Sequence, residues 1–369
     1  MSEQEFTPRD TGRKSPTTRE RRPTRSVQVG KVQIGGGAPV AVQSMTCTRT
    51  HDVEGTLTQI RALASAGADI VRVTVNTQEA ADAMPAIVSQ ANVPLVADIH
   101  YDHKMALAAL AAGVAKLRIN PGNIGSRDKV REVALAAKDR GVPIRVGVNR
   151  GSLHKRYRDL SMIDPAGALV QSALDELEVL AAVGFDDVVV SLKSSEPHEV
   201  IDACRRFSRV CDVPQHLGVT EAGTLHAGTA RSTATLGVLL SEGIGDTLRI
   251  SLAADPVFEV QAAFHMLQAL GLREGYARVV ACPTCGRVEV DVMSLAAKVE
   301  ELAKDLPADK IISVMGCIVN GPGEAKHADL GIAAGKSKVA IYRQGELHRN
   351  IDKDDLEAVL IEEIARLRD

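Results

Sequence analysis

The sequence predicts an α/β protein, a (β/α)8 TIM-type barrel followed by a small second α/β domain. Between residues 27 and 272, short β-branched runs alternate with Ala- and Leu-rich stretches eight times, as expected for a barrel of about 250 residues. Glycine ends several helical stretches, as at Gly67, Gly113 and Gly141, where a left-handed C-cap residue is expected. An open doubly wound sheet is the alternative, but no Gly-rich dinucleotide fingerprint follows the first strand.

Composition argues against several classes of protein. The 369 residues are 45% hydrophobic and 25% charged, which is typical of a folded globular chain. A net charge of −3 and only 2% aromatic residues argue against nucleic acid or an anionic membrane as a partner. The longest apolar run, Met105–Ala115, is shorter than the roughly 20 residues of a membrane-spanning helix.

The N-terminal segment, residues 1–26, is predicted to be a disordered basic tail rich in Arg, Thr, Ser and Pro. A transit peptide is the alternative, although four acidic residues in the segment count against it. No signal peptide is recognisable, and six cysteines in a chain of this length do not make a disulfide scaffold. We therefore expect a cytoplasmic protein whose clustered cysteines bind metal or do chemistry.

The predicted barrel, residues 27–272, begins with a hairpin in which Val27–Ile34 and Ala38–Ser44 are joined across three glycines and run into the first strand. The seven later strands are short and β-branched: Asp69–Val75, Val93–Ile99, Ala115–Asn120, Pro143–Asn149, Asp187–Lys193, Val213–Thr220 and Asp246–Leu252. The predicted helices include Leu57–Ala66, His103–Ala112, Asp128–Arg140, Pro165–Val183, Pro197–Val210, Thr229–Ser241 and Pro256–Leu270.

A charged link, Arg273–Arg278, leads to the small α/β domain over residues 279–369. Its predicted parts are, in order, Val279–Cys285, a helix near Val292–Lys304, a strand Lys310–Met315, a Gly-rich stretch to Gly335, a strand Lys338–Arg343 and a helix Asp354–Leu367.

Polar residues alternate with apolar ones along most of the predicted barrel strands, as Arg72 and Thr74 do with Val71, Val73 and Val75. A spacing of two places each set on one strand face. Because helices cover the outside of a parallel barrel, we expect the polar set to point into the lumen, near the strand carboxyl ends where barrels keep their active sites. The cations expected there are Arg72, Arg118, Arg145, Lys193 and Arg249.

Five cations in one barrel mouth repel one another unless an anion neutralises them, and arginine forks match phosphate oxygens. The sequence therefore predicts a small, multiply charged, diphosphorylated ligand. Polar strand faces that meet solvent, or internal salt bridges, are the alternative. Glu221 lies just past the seventh strand, where a carboxylate either does acid–base work or orients an arginine.

Three of the six cysteines lie in the C-terminal domain. Cys282 and Cys285 form a C-x-x-C pair, and Cys317 follows a strand in a Gly- and Pro-rich loop. A thioredoxin-type redox pair is disfavoured, because the helical context and βαβ setting of such a pair are absent here. A structural zinc site usually has a fourth Cys or His ligand. Three thiolates with a weak fourth ligand suit a 4Fe–4S cluster with one open iron. The spacing leaves both Glu324 and His327 open as that fourth ligand.

Five motifs recur together in one known family: Val42–Thr46, Leu117–Asn123, Arg145–Asn149, Ala281–Arg287 and Met315–Glu324. With them the chain resembles the bacterial 4-hydroxy-3-methylbut-2-en-1-yl diphosphate synthase family from about Val27 to its end. The last two motifs are the most specific. Plant forms carry a large domain between the barrel and the cluster domain, and the short link here resembles the bacterial two-domain type.

The resemblance implies a 4Fe–4S cluster on Cys282, Cys285, Cys317 and Glu324. It implies an oxidoreductase of the methylerythritol phosphate route to isoprenoids that reduces 2-C-methyl-D-erythritol 2,4-cyclodiphosphate, with two electrons from flavodoxin or ferredoxin and loss of water. It also implies a homodimer in which the cluster domain of one subunit closes over the barrel mouth of the other. Glu221 is the candidate proton donor. The substrate-binding residues would be Arg72, His100, Arg118, Asn120, Arg145, Asn149, Lys193, Arg249 and Ser251.

Two functions from other classes remain open at this point. One is a phosphate-binding barrel transferase with a structural zinc domain, which zinc in place of iron would favour. The other is a non-catalytic iron–sulfur sensor, which has no need for inward cations and would not bind a diphosphate at the barrel.

Overall fold

The structure, a computed structural model, describes residues 20–120, 124, 126–273, 277–307 and 309–368. The chain divides into two compact units, Met1–Arg273 and Glu274–Asp369. Most of the predicted tail, residues 1–19, and the motif residues Pro121, Gly122 and Asn123 lie outside the described residues. No helix in the described ranges is long and apolar enough to cross a bilayer.

The first unit is a barrel of eight parallel strands, which confirms the fold prediction. A hairpin, β1 (Val27–Val29) and β2 (Val32–Ile34), precedes the barrel strands β3 (Ala41–Met45), β4 (Ile70–Val75), β5 (Leu95–Ile99), β6 (Lys116–Ile119), β7 (Ile144–Asn149), β8 (Val188–Lys193), β9 (His216–Leu217) and β10 (Thr247–Leu248). Sequential strands are neighbours from β3 to β8, β10 pairs with both β3 and β9, and a bridge from Val190 to Gln215 closes the ring.

Helices surround these strands and cover their outer faces. They are α1 (Val53–Ser65), α2 (Gln78–Gln90), α3 (His103–Ala111), α4 (Arg127–Asp139), α5 (Arg158–Ile163), α6 (Pro165–Ala181), α7 (Pro197–Val210), α8 (Leu225–Ser241) and α9 (Pro256–Ala269). On β4, Val71, Val73 and Val75 belong to the apolar core under the helices, and Arg72 on the opposite face is also buried. A strand buried on both faces thus carries an apolar outer row and a polar inner row.

The hairpin differs from its prediction, because both of its strands lie before the three glycines. Val27 pairs with Ile34 across an antiparallel turn, and Gly30 in that turn has a left-handed φ of +55° that favours glycine. The hairpin packs on the first inward residues of four barrel strands, and this apolar cluster comprises Val27, Val29, Ile34, Ala41, Ile70, Val96 and Val189. The hairpin therefore plugs the amino-terminal end of the barrel, and the polar lumen lies beyond it.

Residues 20–26 contact the barrel, so the predicted disordered tail of residues 1–26 needs correction at its end. Arg21 donates hydrogen bonds to the carbonyl oxygen of Gly245 (3.0 Å) and to Asp246 (3.1 Å). Arg25 donates through Nε (2.9 Å) and Nη2 (2.6 Å) to Asp212. The sequence did not predict these contacts, because the acidic partners lie about 190 to 225 positions away along the chain.

The second unit contains a mixed sheet in the order β11 (Arg278–Ala281), β12 (Ile311–Met315), β13 (Leu330–Ala334), β14 (Lys338–Arg343) and β15 (Glu346–Asp352). The first three strands are parallel and the last two pairings are antiparallel. Its helices are α10 (Val292–Leu302), α11 (Gly321–Ala325) and α12 (Leu356–Ala365).

Sequence patterns missed two of these strands and overestimated two others. β13 was hidden in a Gly-rich stretch, and β15 is mostly exposed and has no apolar alternation. In the barrel, β9 and β10 are only two residues long. Their chain continues toward the mouth through less regular hydrogen bonds, such as Arg249 N–H to the carbonyl oxygen of Leu217 (3.0 Å).

Candidate functional site

The lumen holds six cationic side chains above the apolar plug. Five are buried, and the side chain of Arg249 is 16% exposed. They are Arg72 on β4, Lys116 and Arg118 on β6, Arg145 on β7, Lys193 on β8, and Arg249 just after β10. Among the described residues, only Asp98 and Glu259 place carboxylates within ion-pair distance of this set. The lumen is therefore strongly positive.

Two inward-facing glycines make room for these long side chains. A Cβ atom on Gly147 of β7 would lie 2.5 Å from Nε of Arg118, and one on Gly218 would lie 2.7 Å from Nζ of Lys193. Because real Cβ atoms do not approach that closely, a side chain at either position would displace a cation.

Asp98 on β5 holds two of the arginines together. Its Oδ1 accepts a hydrogen bond from Nη1 of Arg118 (3.0 Å), and its Oδ2 lies 3.8 Å from Nε of Arg72. Burial raises the pKa of Asp98, but the charges of Arg72 and Arg118 outweigh burial and bring this pKa down to about 2. Burial also lowers the pKa of His100, whose Nε2 is 3.8 Å from Asp98, and this proximity opposes the effect of burial.

Lys116, Arg145 and Lys193 have no carboxylate within ion-pair distance among the described residues, and the charge of Asp98 acts on Arg145 only from farther away. Nζ of Lys116, and Nε and Nη1 of Arg145, are buried with no hydrogen-bond partner in that part of the chain. Burial lowers the pKa of all three side chains well below its ordinary value, and neighbouring cations lower it further. Since buried donors are normally satisfied, this region of the lumen suits a ligand that brings several anionic oxygens.

Glu259 was not anticipated from the sequence, because it comes from a helix rather than from a strand. It lies in the first turn of α9 and accepts hydrogen bonds from Nε and Nη2 of Arg249, both at 2.9 Å. Glu199, in the first turn of α7, is similar: it accepts from Ser194 Oγ (2.6 Å) and Arg150 Nε (3.1 Å). In the sequence, both glutamates come two or three residues after a proline that begins a helix, and this spacing is the signal that could have identified them.

The other predicted site residues of the barrel lie at the strand carboxyl ends. Asn149 ends β7 beside Lys193 of β8, and Nδ2 of Asn120 donates a hydrogen bond to Ser152 Oγ (2.8 Å). Ser251 follows Arg249 in the segment after β10. Glu221 is exposed and has a φ of +47°, a left-handed conformation that costs energy for a residue with a side chain.

In the second unit, the three cysteines follow two neighbouring parallel strands. Cys282 follows β11, and its sulfur accepts a hydrogen bond of 3.2 Å from the backbone N–H of Gly316, which directly precedes Cys317. The backbone N–H and guanidinium of Arg287 lower the pKa of Cys285. The pKa of Arg287 is raised in turn, mainly by its hydrogen bond to Cys285 and also by the charges of Cys285 and Cys317. The same arginine therefore neighbours two of the thiols.

Glu324 and His327 are both exposed, on and just after α11. That helix packs tightly on β13, since a Cβ atom on Gly321 would lie 2.2 Å from the Cβ of Ala333. Across the described residues, no group of three or more His, Cys, Asp or Glu side chains is close enough together to hold a metal ion. The thiols nevertheless fit a sulfur-ligated group chemically, since N–H donors and a neighbouring cation favour thiolate.

Comparisons with known proteins cover both units. Residues 24–264 match the model of the GcpE TIM-barrel domain, and residues 278–366 match that of the GcpE protein C-terminal domain. Curated relatives match along nearly the whole chain. One from Anoxybacillus flavithermus is 48% identical over 93% of this chain and 94% of its own, and one from Desulfotalea psychrophila is 47% identical over 95% and 97%. Both are named 4-hydroxy-3-methylbut-2-en-1-yl diphosphate synthase (flavodoxin).

Among solved structures, a dihydropteroate synthase from Xanthomonas albilineans covers 67% of this chain and 98% of its own, at 16% identity and a TM-score of 0.49. One from Yersinia pestis has 12% identity and the same TM-score. These likenesses are too weak to add to the assignment of fold or function.

Replacing Asp98 with Asn tests the electrostatic balance of the lumen. We expect the free energy of unfolding at pH 7 to fall by about 2–3 kcal/mol, because Arg72 and Arg118 lose their shared anion. The folded-state pKa of Asp98 is about 2 and the unfolded one about 3.9. Its stabilisation is therefore present above pH 4 and lost toward pH 2.

Urea unfolding between pH 2 and pH 7 measures both effects. The Asp98→Asn variant should lose less stability than the wild type between pH 4 and pH 2, and Asp82→Asn on the exposed face of α2 should behave like the wild type. The same pH dependence in Asp98→Asn and wild type would contradict the assignment.

Proposed function

The chain belongs to the GcpE family, and we infer from this membership that it is an oxidoreductase of isoprenoid precursor biosynthesis. It converts 2-C-methyl-D-erythritol 2,4-cyclodiphosphate to 4-hydroxy-3-methylbut-2-en-1-yl diphosphate. The observation that carries this function is the 47–48% identity, over at least 93% of the chain, to curated enzymes of that name. A transferase with a structural zinc domain has no comparable support.

We propose that the lumen cations bind the cyclic diphosphate. Lys116, Arg145 and Lys193 have the unmet charge for it, and the guanidinium planes of arginines suit phosphate oxygens. When the ring opens, an ester oxygen becomes a free phosphate oxygen, so the negative charge on the diphosphate increases. Preorganised cations stabilise that added charge more than they stabilise the starting ring. The remaining proposed contacts are His100, Asn120, Asn149 and Ser251 at the barrel mouth, with Arg72, Arg118 and Arg249.

We propose that Cys282, Cys285 and Cys317 ligate a 4Fe–4S cluster and that Glu324 is its fourth ligand. The N–H of Gly316 on the Cys282 sulfur and Arg287 beside the other two thiols support thiolate ligation. A carboxylate is a harder ligand than a thiolate, so Glu324 is the easiest of the four to displace. When bound, such a cluster supplies single electrons and an open iron for a substrate oxygen.

Reduction of the substrate to the product breaks the ring C–O bond and removes a hydroxyl group as water. It requires two electrons, and the departing hydroxyl requires a proton. We propose that Glu221 donates this proton, because it is an exposed carboxylate on a strained segment that follows β9 at the mouth. The electrons come from a flavodoxin-type donor, as the names of the curated relatives suggest, or from a ferredoxin.

We further propose that the enzyme is a homodimer in which the C-terminal domain of one subunit closes over the barrel of the other. Arg273, the last barrel residue, binds Asp69 (2.9 and 3.2 Å) and the carbonyl oxygen of Val40 (3.0 Å). These residues directly precede β4 and β3, so the chain leaves the barrel at the end opposite the mouth. This exit point supports a cap that comes from a second copy of the chain.

Replacing Cys317 with Ser tests the cluster. Anaerobically purified variant protein should lack the brown colour, carry much less than the approximately four irons and four sulfides expected per chain, and show no turnover, while the barrel stays folded by circular dichroism. Cys211→Ser, in the barrel and outside the proposed site, is the matched control and should retain iron and activity. Full activity in Cys317→Ser would contradict the proposal that Cys317 ligates the cluster.

Replacing Arg118 with Ala tests the diphosphate site. We expect the dissociation constant for the cyclic diphosphate to rise about 30-fold or more, with an unchanged cluster spectrum, as measured by anaerobic calorimetry and absorbance. Arg61→Ala, on the exposed face of α1, should bind normally. Loss of the cluster in Arg118→Ala would contradict the proposal that the barrel binds the substrate and the C-terminal unit holds the cluster.

The same two variants test the dimer when they are mixed. Co-refolded or co-expressed Cys317→Ser and Arg118→Ala chains should regain activity, because a mixed dimer combines one intact barrel with one intact cluster domain of the other chain. No recovery in demonstrated mixed dimers would argue for a site built within one chain.

Replacing Glu221 with Gln tests proton donation. The amide keeps the shape but holds no transferable proton, so kcat should fall about 100-fold or more, with the affinity for the cyclic diphosphate within about threefold of wild type. Single-turnover kinetics with a chemical reductant measure this split. A large change in affinity with unchanged kcat would instead make Glu221 a binding residue.

A further inference from the structure

Glu259 is a buried carboxylate with no direct part in the reaction proposed above. It is only 2% exposed and lies in the first turn of α9. Four donors converge on it. Its Oε1 accepts from Nη2 of Arg249 (2.9 Å) and the backbone N–H of Leu252 (3.0 Å), and its Oε2 accepts from Nε of Arg249 (2.9 Å) and Oγ of Ser44 (2.9 Å).

These four contacts join three parts of the barrel rim at one side chain. Ser44 belongs to β3, Arg249 and Leu252 belong to the segment after β10, and Glu259 itself belongs to α9. Leu252 directly follows Ser251, another proposed substrate contact. A single carboxylate therefore fixes both an arginine side chain and the backbone beside a serine.

We propose that Glu259 is a positioning residue that orients the guanidinium of Arg249, and the backbone after Ser251, to receive the diphosphate. This inference rests on the proposed function, since the diphosphate is the ligand to be received. Glu259 does not touch the substrate; it acts through Arg249.

The geometry of the pair explains how this orientation serves binding. Glu259 takes the Nε–Nη2 side of the guanidinium and so leaves its other edge, with Nη1 and one hydrogen of Nη2, for another acceptor. Nη1 lies 3.3 Å from the sulfur of Met45, which is a weak acceptor. A phosphate oxygen is a much stronger acceptor, so this edge is directed toward an anion in a fixed plane.

Stability alone is a poor explanation for the pair. Removing both charges from water costs free energy that their attraction roughly repays, so a buried ion pair often stabilises a fold no better than apolar side chains of similar size. What an apolar pair could not do is hold a charged guanidinium in one orientation beside a ligand.

Replacing Glu259 with Gln removes this control with little change in shape. An amide has one accepting oxygen and one donating nitrogen, so in either orientation one contact to Arg249 faces a donor. Arg249 then loses its fixed plane while keeping its charge. We expect the dissociation constant for the cyclic diphosphate to rise about 30-fold.

The experiment measures binding of 2-C-methyl-D-erythritol 2,4-cyclodiphosphate to the full-length enzyme with its oxidised cluster, by anaerobic calorimetry without reductant so that nothing turns over. Four proteins form a cycle: wild type, Glu259→Gln, Arg249→Ala and the double variant. Glu259 is proposed to act through Arg249. In the Arg249→Ala background, Glu259→Gln should therefore raise the dissociation constant by less than about threefold.

Asp69→Asn is the matched control. Asp69 also holds an arginine by two contacts, Arg273, and also accepts from a backbone N–H, that of Val42 (2.7 Å), but at the opposite end of the barrel. It should lower the thermal midpoint while leaving the dissociation constant unchanged. If Glu259→Gln does not fold, Arg249→Lys keeps the charge without the planar fork and should still bind at least tenfold more weakly.

Each outcome decides a separate point. Unchanged binding in Glu259→Gln, or in Arg249→Lys where that variant is needed, overturns the positioning role. Losses that multiply in the double variant overturn it too, because Glu259 would then act independently of Arg249. A wild-type enzyme that does not bind the cyclic diphosphate overturns the proposed function itself, whatever the variants do.

Discussion

The structure depends on one electrostatic constraint: a barrel lumen that carries more positive charge than its own carboxylates compensate. Charges a few ångströms apart in a poorly solvated interior repel strongly, and Lys116 and Arg145 are buried without an acidic partner among the described residues. Such a lumen is a preorganised anion site that is stabilised when the anion binds. This excess of positive charge is the reason why we propose that the lumen binds the diphosphate.

Several other features serve this constraint. The hairpin of β1 and β2 closes the amino-terminal end with apolar side chains, so the polar lumen lies toward the mouth. Gly147 and Gly218 leave space for Arg118 and Lys193. Buried carboxylates then fix individual arginines, as Asp98 does for Arg118 and Glu259 for Arg249. The barrel thus combines a net attraction for an anion with fixed orientations of its cations.

The C-terminal domain has a different design because its proposed cofactor requires different chemistry. Its cysteines follow the neighbouring parallel strands β11 and β12, so two sequence motifs more than thirty residues apart meet at one sheet edge. Gly321 allows the short helix α11, which bears Glu324, to pack directly on β13. The cysteines of the second unit thus follow the carboxyl ends of parallel strands, whereas most of the barrel cations lie within their strands and face the lumen.

The barrel, the inward row of cations and the three clustered cysteines could be predicted without the structure, because they follow from local periodicity, spacing and motifs. The contacts of Glu199 and Glu259, the plug formed by the hairpin, and the ion pairs of Arg21 and Arg25 with Asp246 and Asp212 became apparent only in the folded structure. Strand alternation has a period of two and can be read from neighbours in sequence. A helix side chain that reaches back to a strand end, or a partner some two hundred positions away, leaves no such period and is decided by packing alone.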